Sequence, residues 1–241
     1  MSDRVYLLLT VIFVTMLVLE LVVPLRRKTW ERGWIVRATL LNLLQAVPLV
    51  VAAVTVNEWF GLHPLLDAQS VLPAWLAGLA AFVLGNFIQY WWHRLQHRSD
   101  FLWRALHQLH HSPRHVDVLV SNYAHPVDFL IILSFYAFAA LAVLGLDPEG
   151  VAWCTFFSGL YNYWVHCNLR SPRWLGYFVQ RPEMHRVHHR IDHHAQNYGL
   201  PIWDLMFGTW HNPEDVEFEC GFHGDRETQV LRMLAGRDVH G

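Results

Sequence analysis

Charge is what this chain of 241 residues is short of. Asp, Glu, Lys and Arg make up 16% of it, where soluble domains carry ~25%. With a positive mean hydropathy, that shortage argues against a freely soluble globule and points to lipid. Cysteine is scarce as well. Cys154, Cys167 and Cys220 form neither a metal-type pair nor an even disulfide framework. Cys154, inside an apolar run, reads as a small core residue, and Cys167, beside His166, as a bystander. The chain has no Gly-rich dinucleotide fingerprint, no Cys-rich iron–sulfur run and no C-x-x-C-H haem attachment, so it brings no electron carrier of those kinds. Nor does it have an internal repeat, a low-complexity tract or a Gly/Ser linker. A single domain over 1–241 is expected.

Long apolar runs, in contrast, are abundant. Crossing a ~30 Å hydrocarbon core takes roughly 20 apolar residues. Val5–Val23, Ala38–Val56, Val71–Trp92 and Phe129–Leu146 reach or approach that length. The first is uncharged except for Glu20, and the second contains the kinking Pro48. A fifth run, Val151–Val165, is shorter and reads as the return arm of a helical hairpin. The expected fold is all-α: an integral-membrane helical bundle of about four transmembrane helices, or three plus a hairpin, with a helical cap outside the membrane. The first run lacks a small-residue cleavage site and meets the stop-transfer flank Arg26-Arg27-Lys28, so it is expected to be retained.

Charge placement orients the bundle. If the first four runs alternate and 129–165 goes in and comes back, loops 24–37, 93–128 and 166–241 share one side. All but Arg4 of the 18 Lys and Arg residues fall there, and the positive-inside rule makes that side cytoplasmic. The formal net charge of −2 says little beside that distribution. The acidic stretch Glu214-Asp215-Val216-Glu217-Phe218-Glu219 reads as solvated surface of a tail spanning 211–241.

On the same side lie three histidine clusters: His93 and His97 as H-x3-H, then His107, His110, His111 and His185, His188, His189, both as H-x2-H-H. Residues three and four apart share a helix face, so each cluster is expected to aim its imidazoles in one direction. Eight convergent imidazoles exceed the four ligands of a zinc site and suit two ions of higher coordination number. A histidine-rich solubility tract would be contiguous and irregular. His63, in the far-side loop, and His240, at the terminus, are expected to have no special role.

The motifs that are missing narrow the chemistry. A zincin needs Glu after its first histidine, and those positions hold Arg94, Gln108 and Arg186. The Glu-x-x-His pairs of carboxylate-bridged di-iron bundles and the Cys ligands of deaminases are absent. An all-imidazole two-metal site at a membrane face leaves iron and O₂ as the best reading.

Several motifs then fall in a recognisable order. They are Tyr90-Trp91-Trp92-His93-Arg94, Leu102-Trp103, His110-His111-Ser112-Pro113, His125-Pro126, Pro182-Glu183-Met184-His185-Arg186-Val187-His188-His189, Asn197-Tyr198-Gly199 and Trp203-Asp204-Leu205-Met206-Phe207-Gly208-Thr209. Over 86–210 the chain resembles the fatty acid hydroxylase / sterol desaturase superfamily of membrane di-iron oxygenases, in phrasing nearest to small bacterial C-5 sterol desaturase-like members. The apolar runs put transmembrane helices within 5–92, and the resemblance implies the eight clustered histidines as ligands of two iron ions. It implies His166 as a further ligand, and Asn86, His125 and Asp204 as supports behind the ligands. His193 and His194 fall where the family varies. Asn86 stands where relatives often carry Asp, and it would polarise a ligand less.

The activity implied is O₂-dependent hydroxylation or desaturation of a lipid C–H bond; both outcomes use the same ligands. O₂ would be co-substrate, and a separate ferredoxin, cytochrome or reductase the electron donor. The bilayer supplies the lipid, no nucleic-acid partner is expected, and the location implied is a bacterial inner membrane. Two other classes remain open: a histidine-lined metal transporter, whose site belongs nearer the bilayer midplane, and a scaffold that keeps the fold without metal.

Overall fold

The structure is a computed structural model that describes residues 2–27, 31–60, 63–193 and 195–240. Lys28 of the stop-transfer flank and His194 lie outside the described residues. Among these residues the fold is all-helical, its only β-feature being a single antiparallel bridge between Arg190 and Cys220.

Four helices are long and apolar enough to cross a membrane: Arg4–Val22 within α1 (Ser2–Val22), α2 (Arg32–Phe60), α3 (Ala74–Gln96) and α5 (Pro126–Val143). They make the chain a multi-pass membrane protein. Large apolar residues such as Leu7, Val11, Val14, Val18 and Val22 on α1, and Leu40, Leu43, Val47, Val50 and Val54 on α2, are exposed. In water such a surface would be an aggregation liability; against lipid tails it costs nothing.

The helix built on the fifth run is longer than the run itself. Asp147 caps a helix through its side chain, which accepts from Glu149 N and Gly150 N, and Pro148 opens it at the first helical position. The resulting α6 (Pro148–His166) has 19 residues and is therefore about 28 Å long. It matches the others in length and differs in polarity, carrying Glu149 and Asn162. The return arm expected from hydropathy extends beyond its apolar run, because its ends are polar and the apolar count missed them.

Small residues bring α6 against α3. A Cβ at Gly78 would lie 2.5 Å from Trp153 Cβ and 2.7 Å from Gly150 O, so the two backbones touch where only glycine leaves room. The ends are pinned in register. Leu65 N–H and Leu66 N–H donate to Ala142 O and Val143 O, placing the α2–α3 loop beside the α5–α6 turn. At the opposite end, buried Glu20 on α1 accepts from Val118 N and Asn168 N through one carboxylate oxygen. The buried amide of Gln45, on α2, donates to Asn122 O and Ala124 O. Polar groups near the ends of α1 and within α2 thus hold the loops of the cap. The cap contains α4 (Gln108–His111), α7 (Pro182–His188), α8 (Pro201–Met206) and α9 (Val230–Leu234).

Candidate metal centre

All three histidine clusters meet on the cap side of the bundle, and α6 delivers a ninth imidazole. His93 lies in the last turn of α3, and His97 is its C-cap. His107 ends a π-helical stretch, Trp103–His107, that leads into α4 with His110 and His111. His185 and His188 lie on α7 with His189 as its C-cap, and His166 closes α6. Eight of the nine are buried and His97 is nearly so.

The ring nitrogens form two groups, each within 4.8 Å. One holds His93, His97, His107, His111 and His188; the other holds His110, His166, His185 and His189. The expectation that each cluster points one way therefore needs correcting. At ~100° per residue, positions i and i+4 are ~40° apart, while i+3 falls ~60° to the other side. The pairs 93/97, 107/111 and 185/189 accordingly stay together, and His110 and His188 cross to the other group. Each H-x2-H-H motif straddles two centres.

Within the groups the facing atoms are ring nitrogens. His107 and His111 Nε2 are 3.1 Å apart, His110 and His166 Nε2 3.2 Å, His166 and His185 Nε2 2.9 Å, and His185 and His189 Nε2 3.2 Å. Two nitrogens each ~2.1 Å from one ion and at right angles to each other lie about 3 Å apart, so the spacing suits shared ligation. In four of the nine the outer nitrogen is occupied in a way that frees the inner one. Nδ1–H donates to a backbone carbonyl in His93 (Tyr198 O, 2.9 Å), His110 (Tyr123 O, 3.3 Å), His166 (Asn162 O, 2.8 Å) and His188 (Gln196 O, 2.8 Å). That leaves the Nε2 lone pair as the inward donor. His93 Nε2 and His188 Nε2 are buried without a hydrogen-bond partner, as a metal ligand would be. Loss of solvent first, and neighbouring imidazoles second, hold His110, His111, His185, His188 and His189 well below the ordinary imidazole pKa. They are neutral at pH 7, the form that binds metal.

The residues expected behind the ligands are placed differently from one another. Asn86 Oδ1 accepts from Leu200 N (2.9 Å), and Asp204 accepts from Tyr198 N, Gly199 N and Thr209 Oγ1. Both brace the 198–200 turn, whose Tyr198 carbonyl orients His93, and so act one step removed from the ligands. His125 instead caps α5: its Nδ1 accepts from Val127 N, and its Nε2 faces Leu234 O at 3.2 Å. His193 faces Gln196 Oε1, away from both groups. Sequence reasoning missed Asp128. Its Oδ2 lies 3.5 Å from His107 Nδ1, while Oδ1 accepts from Trp92 Nε1 and Gln96 Nε2. The available signal was a carboxylate in the first turn of an otherwise apolar helix.

A cavity of about 280 Å³ runs from this cluster into the bundle. His93, His107, His110, His166 and His185 line its cap end; Leu9, Leu49, Ile132, Leu133 and Tyr136 line the rest, at membrane depth.

The fold and site define a class: a multi-helix membrane protein carrying two polyhistidine centres able to hold metal, above a largely apolar cavity. The chain belongs to the fatty acid hydroxylase family, whose model matches residues 78–209, more than half of its length. It is similar to alkylglycerol monooxygenase of Homo sapiens (33% identical, 54% of this chain and 30% of that protein). It is also similar to ornithine lipid hydroxylase of Rhizobium tropici (32%, 64% and 47%) and to a sphingolipid C4-hydroxylase of Schizosaccharomyces pombe (28%, 63% and 53%). The chain thus spans about a third to a half of these relatives' lengths. No solved structure matches it.

Proposed function

We propose that this chain is a lipid hydroxylase that uses two irons and O₂ to oxidise a C–H bond of a bilayer lipid at the cytosolic face. The observation that carries the reading is the junction of two histidine centres with the inner end of an apolar cavity at membrane depth. Names of relatives that include a monooxygenase and two lipid hydroxylases support it. His93, His97, His107, His111 and His188 would hold one iron, and His110, His166, His185 and His189 the other. When bound, the pair supplies the redox chemistry that activates O₂ toward an unactivated carbon.

The chain's own residues do the rest. Leu9, Leu49, Ile132 and Leu133 give an acyl, sterol or terpenoid substrate apolar surroundings on its way from the bilayer. A lipid could present one carbon to the histidines without crossing water, and the buried walls keep water from the reacting end. The carbonyls of Tyr198, Tyr123, Asn162 and Gln196 fix ring orientation, so the donor geometry is pre-set. Electrons would come from a separate ferredoxin, cytochrome or reductase meeting the basic side of the cap, the cytosolic side on this reading. Hydroxylation is preferred to desaturation because it is what the hydroxylases among the relatives are named for.

Metal analysis of the purified chain, paired with mass spectrometry of lipid extracts from expressing and non-expressing cells, tests this. About two irons per chain and an O₂-dependent +16 lipid are expected. Zinc alone, or a changed metabolite that is water-soluble, would overturn it.

A further inference from the structure

A second cavity, of about 480 Å³, opens on the cap and shares no lining residue with the one beneath the histidines. Four arginines line it: Arg26, Arg27, Arg114 and Arg186. The deepest of them is out of the ordinary. Arg186 is only 5% exposed, yet its guanidinium makes one long hydrogen bond, Nη1 to Val116 O at 3.5 Å. Its Nε has none, and among the described residues no carboxylate lies within ion-pair distance of it. Arg181, equally buried, shows how this fold normally treats such a group. It pairs with Glu183 at 3.0 Å and donates to Ser171 and Asn212. A buried cation without a counter-charge is costly, and a planar fork of donors facing a cavity matches an oxyanion bidentately.

The remaining charges keep the cavity positive. Arg26 is engaged by Glu217 and Arg114 by exposed Asp225, while His223 faces Asp192. Glu219 is the one carboxylate on the lining; it is exposed and bridges none of the four arginines. Phe218, Phe222 and Ile191 add apolar wall. A volume of this size falls in the range of organic-ligand sites, larger than a bare inorganic ion requires. Its rim is at the membrane face. Arg26 and Arg27 follow the end of α1 by a few residues, and Leu25 N–H donates to Asn168 O just past the end of α6.

We propose that this cavity binds a phosphate ester, with Arg186 gripping the phosphate and Arg27 and Arg114 at the mouth. Its source is either the glycerophosphate headgroup of a bilayer lipid or a soluble ester. The site stands independently of the oxidation reaction. Its floor is tied to the histidine segment, since Gly221 N–H donates to His189 O and Ile191 N–H to Glu219 O. A bound ligand should therefore also raise thermal stability.

The test uses the full chain in neutral detergent and phosphate-free buffer, with native mass spectrometry and thermal unfolding as readouts. Dioctanoyl phosphatidylglycerol and glycerol 1-phosphate are titrated against dioctanoylglycerol and glycerol. At least tenfold tighter binding of a phosphate form than of its alcohol is expected. Arg186→Gln should abolish that preference. The double variant Arg27→Gln/Arg114→Gln, at exposed side chains, should reduce it about tenfold, and Arg237→Gln should leave it unchanged. Preference for the lipid alone identifies a headgroup site; equal preference for both phosphates identifies a soluble-ester site. Failure to distinguish phosphate from alcohol, or a double variant that binds like the parent, would overturn the proposal.

Discussion

The two nitrogens of an imidazole can take different tasks. In His93, His110, His166 and His188 a backbone carbonyl takes the outer nitrogen, and in His93 and His188 the inner one is left bare. Leaving buried polar atoms bare is expensive, and a bound ion would satisfy the inward nitrogens of His93 and His188. Replacing His188 or His110 with alanine is therefore expected to lower bound metal by at least one equivalent and to reduce lipid oxidation to background, as metal analysis and product mass spectrometry would show. His63→Ala should do neither, because His63 lies in the α2–α3 loop at the far end of the bundle. Asp128 offers a subtler case. Asp128→Asn keeps the hydrogen bonds possible at Trp92 and Gln96 but weakens the charge beside His107. Loss of such a supporting carboxylate typically costs 10–100-fold in metal affinity, so a competition titration should show a drop in that range with the helical circular dichroism unchanged. Full affinity in the variant would remove Asp128 from the metal's support.

At the scale of elements, glycine contacts determine how closely the helices approach. Gly78 meets Trp153 and Gly150 on α6, and Gly85 lies where a Cβ would sit 2.5 Å from the Tyr136 ring on α5. Association of helices within a bilayer depends on such close packing, since lipid is as apolar as the helix surface. Gly78→Ala is expected to force α3 and α6 apart at a cost of about 1–3 kcal/mol, the usual range for overpacking. Thermal unfolding in detergent would register this as a clear drop in midpoint. An unchanged midpoint would mean that the α3–α6 contact is looser than drawn. The split of each H-x2-H-H motif between two centres belongs to the same scale. It requires a helix lying between the two groups, and α4 and α7 both do so.

For the whole molecule, the clustered histidines and the basic residues other than Arg4 segregate to one end. The ends of α1, α3 and α6 and the starts of α2 and α5 share it, while the α2–α3 loop and the α5–α6 turn share the other. Cysteine substitution at Asp67 and at Arg237, followed by labelling in intact cells with an impermeant reagent, should modify Asp67→Cys alone. Labelling of both positions from outside would contradict the orientation and move the proposed electron donor to the wrong compartment.

What could be read along the chain is what depends on neighbours in sequence. Hydropathy summed over roughly 20 residues reports a membrane span without knowledge of its partners, and the histidine spacings survive in any helical setting. The all-helical fold, the four apolar helices and the eight histidines that now lie together were legible for that reason; His166 was legible through the motif order around it. The assignment of each imidazole to a centre was not. It depends on helix phase and on how α3, α4, α6 and α7 approach one another, and spacing says nothing of that. The same holds for Asp128, which reaches His107 only because α5 starts beside the end of α3, and for His125, whose sequence context could not distinguish a helix cap from a support for metal. Arg186 makes the point most sharply. Along the chain it is one basic residue between two histidines, and only the tertiary structure buries it without a counter-charge, because the carboxylates that could have paired with it were carried elsewhere by the fold.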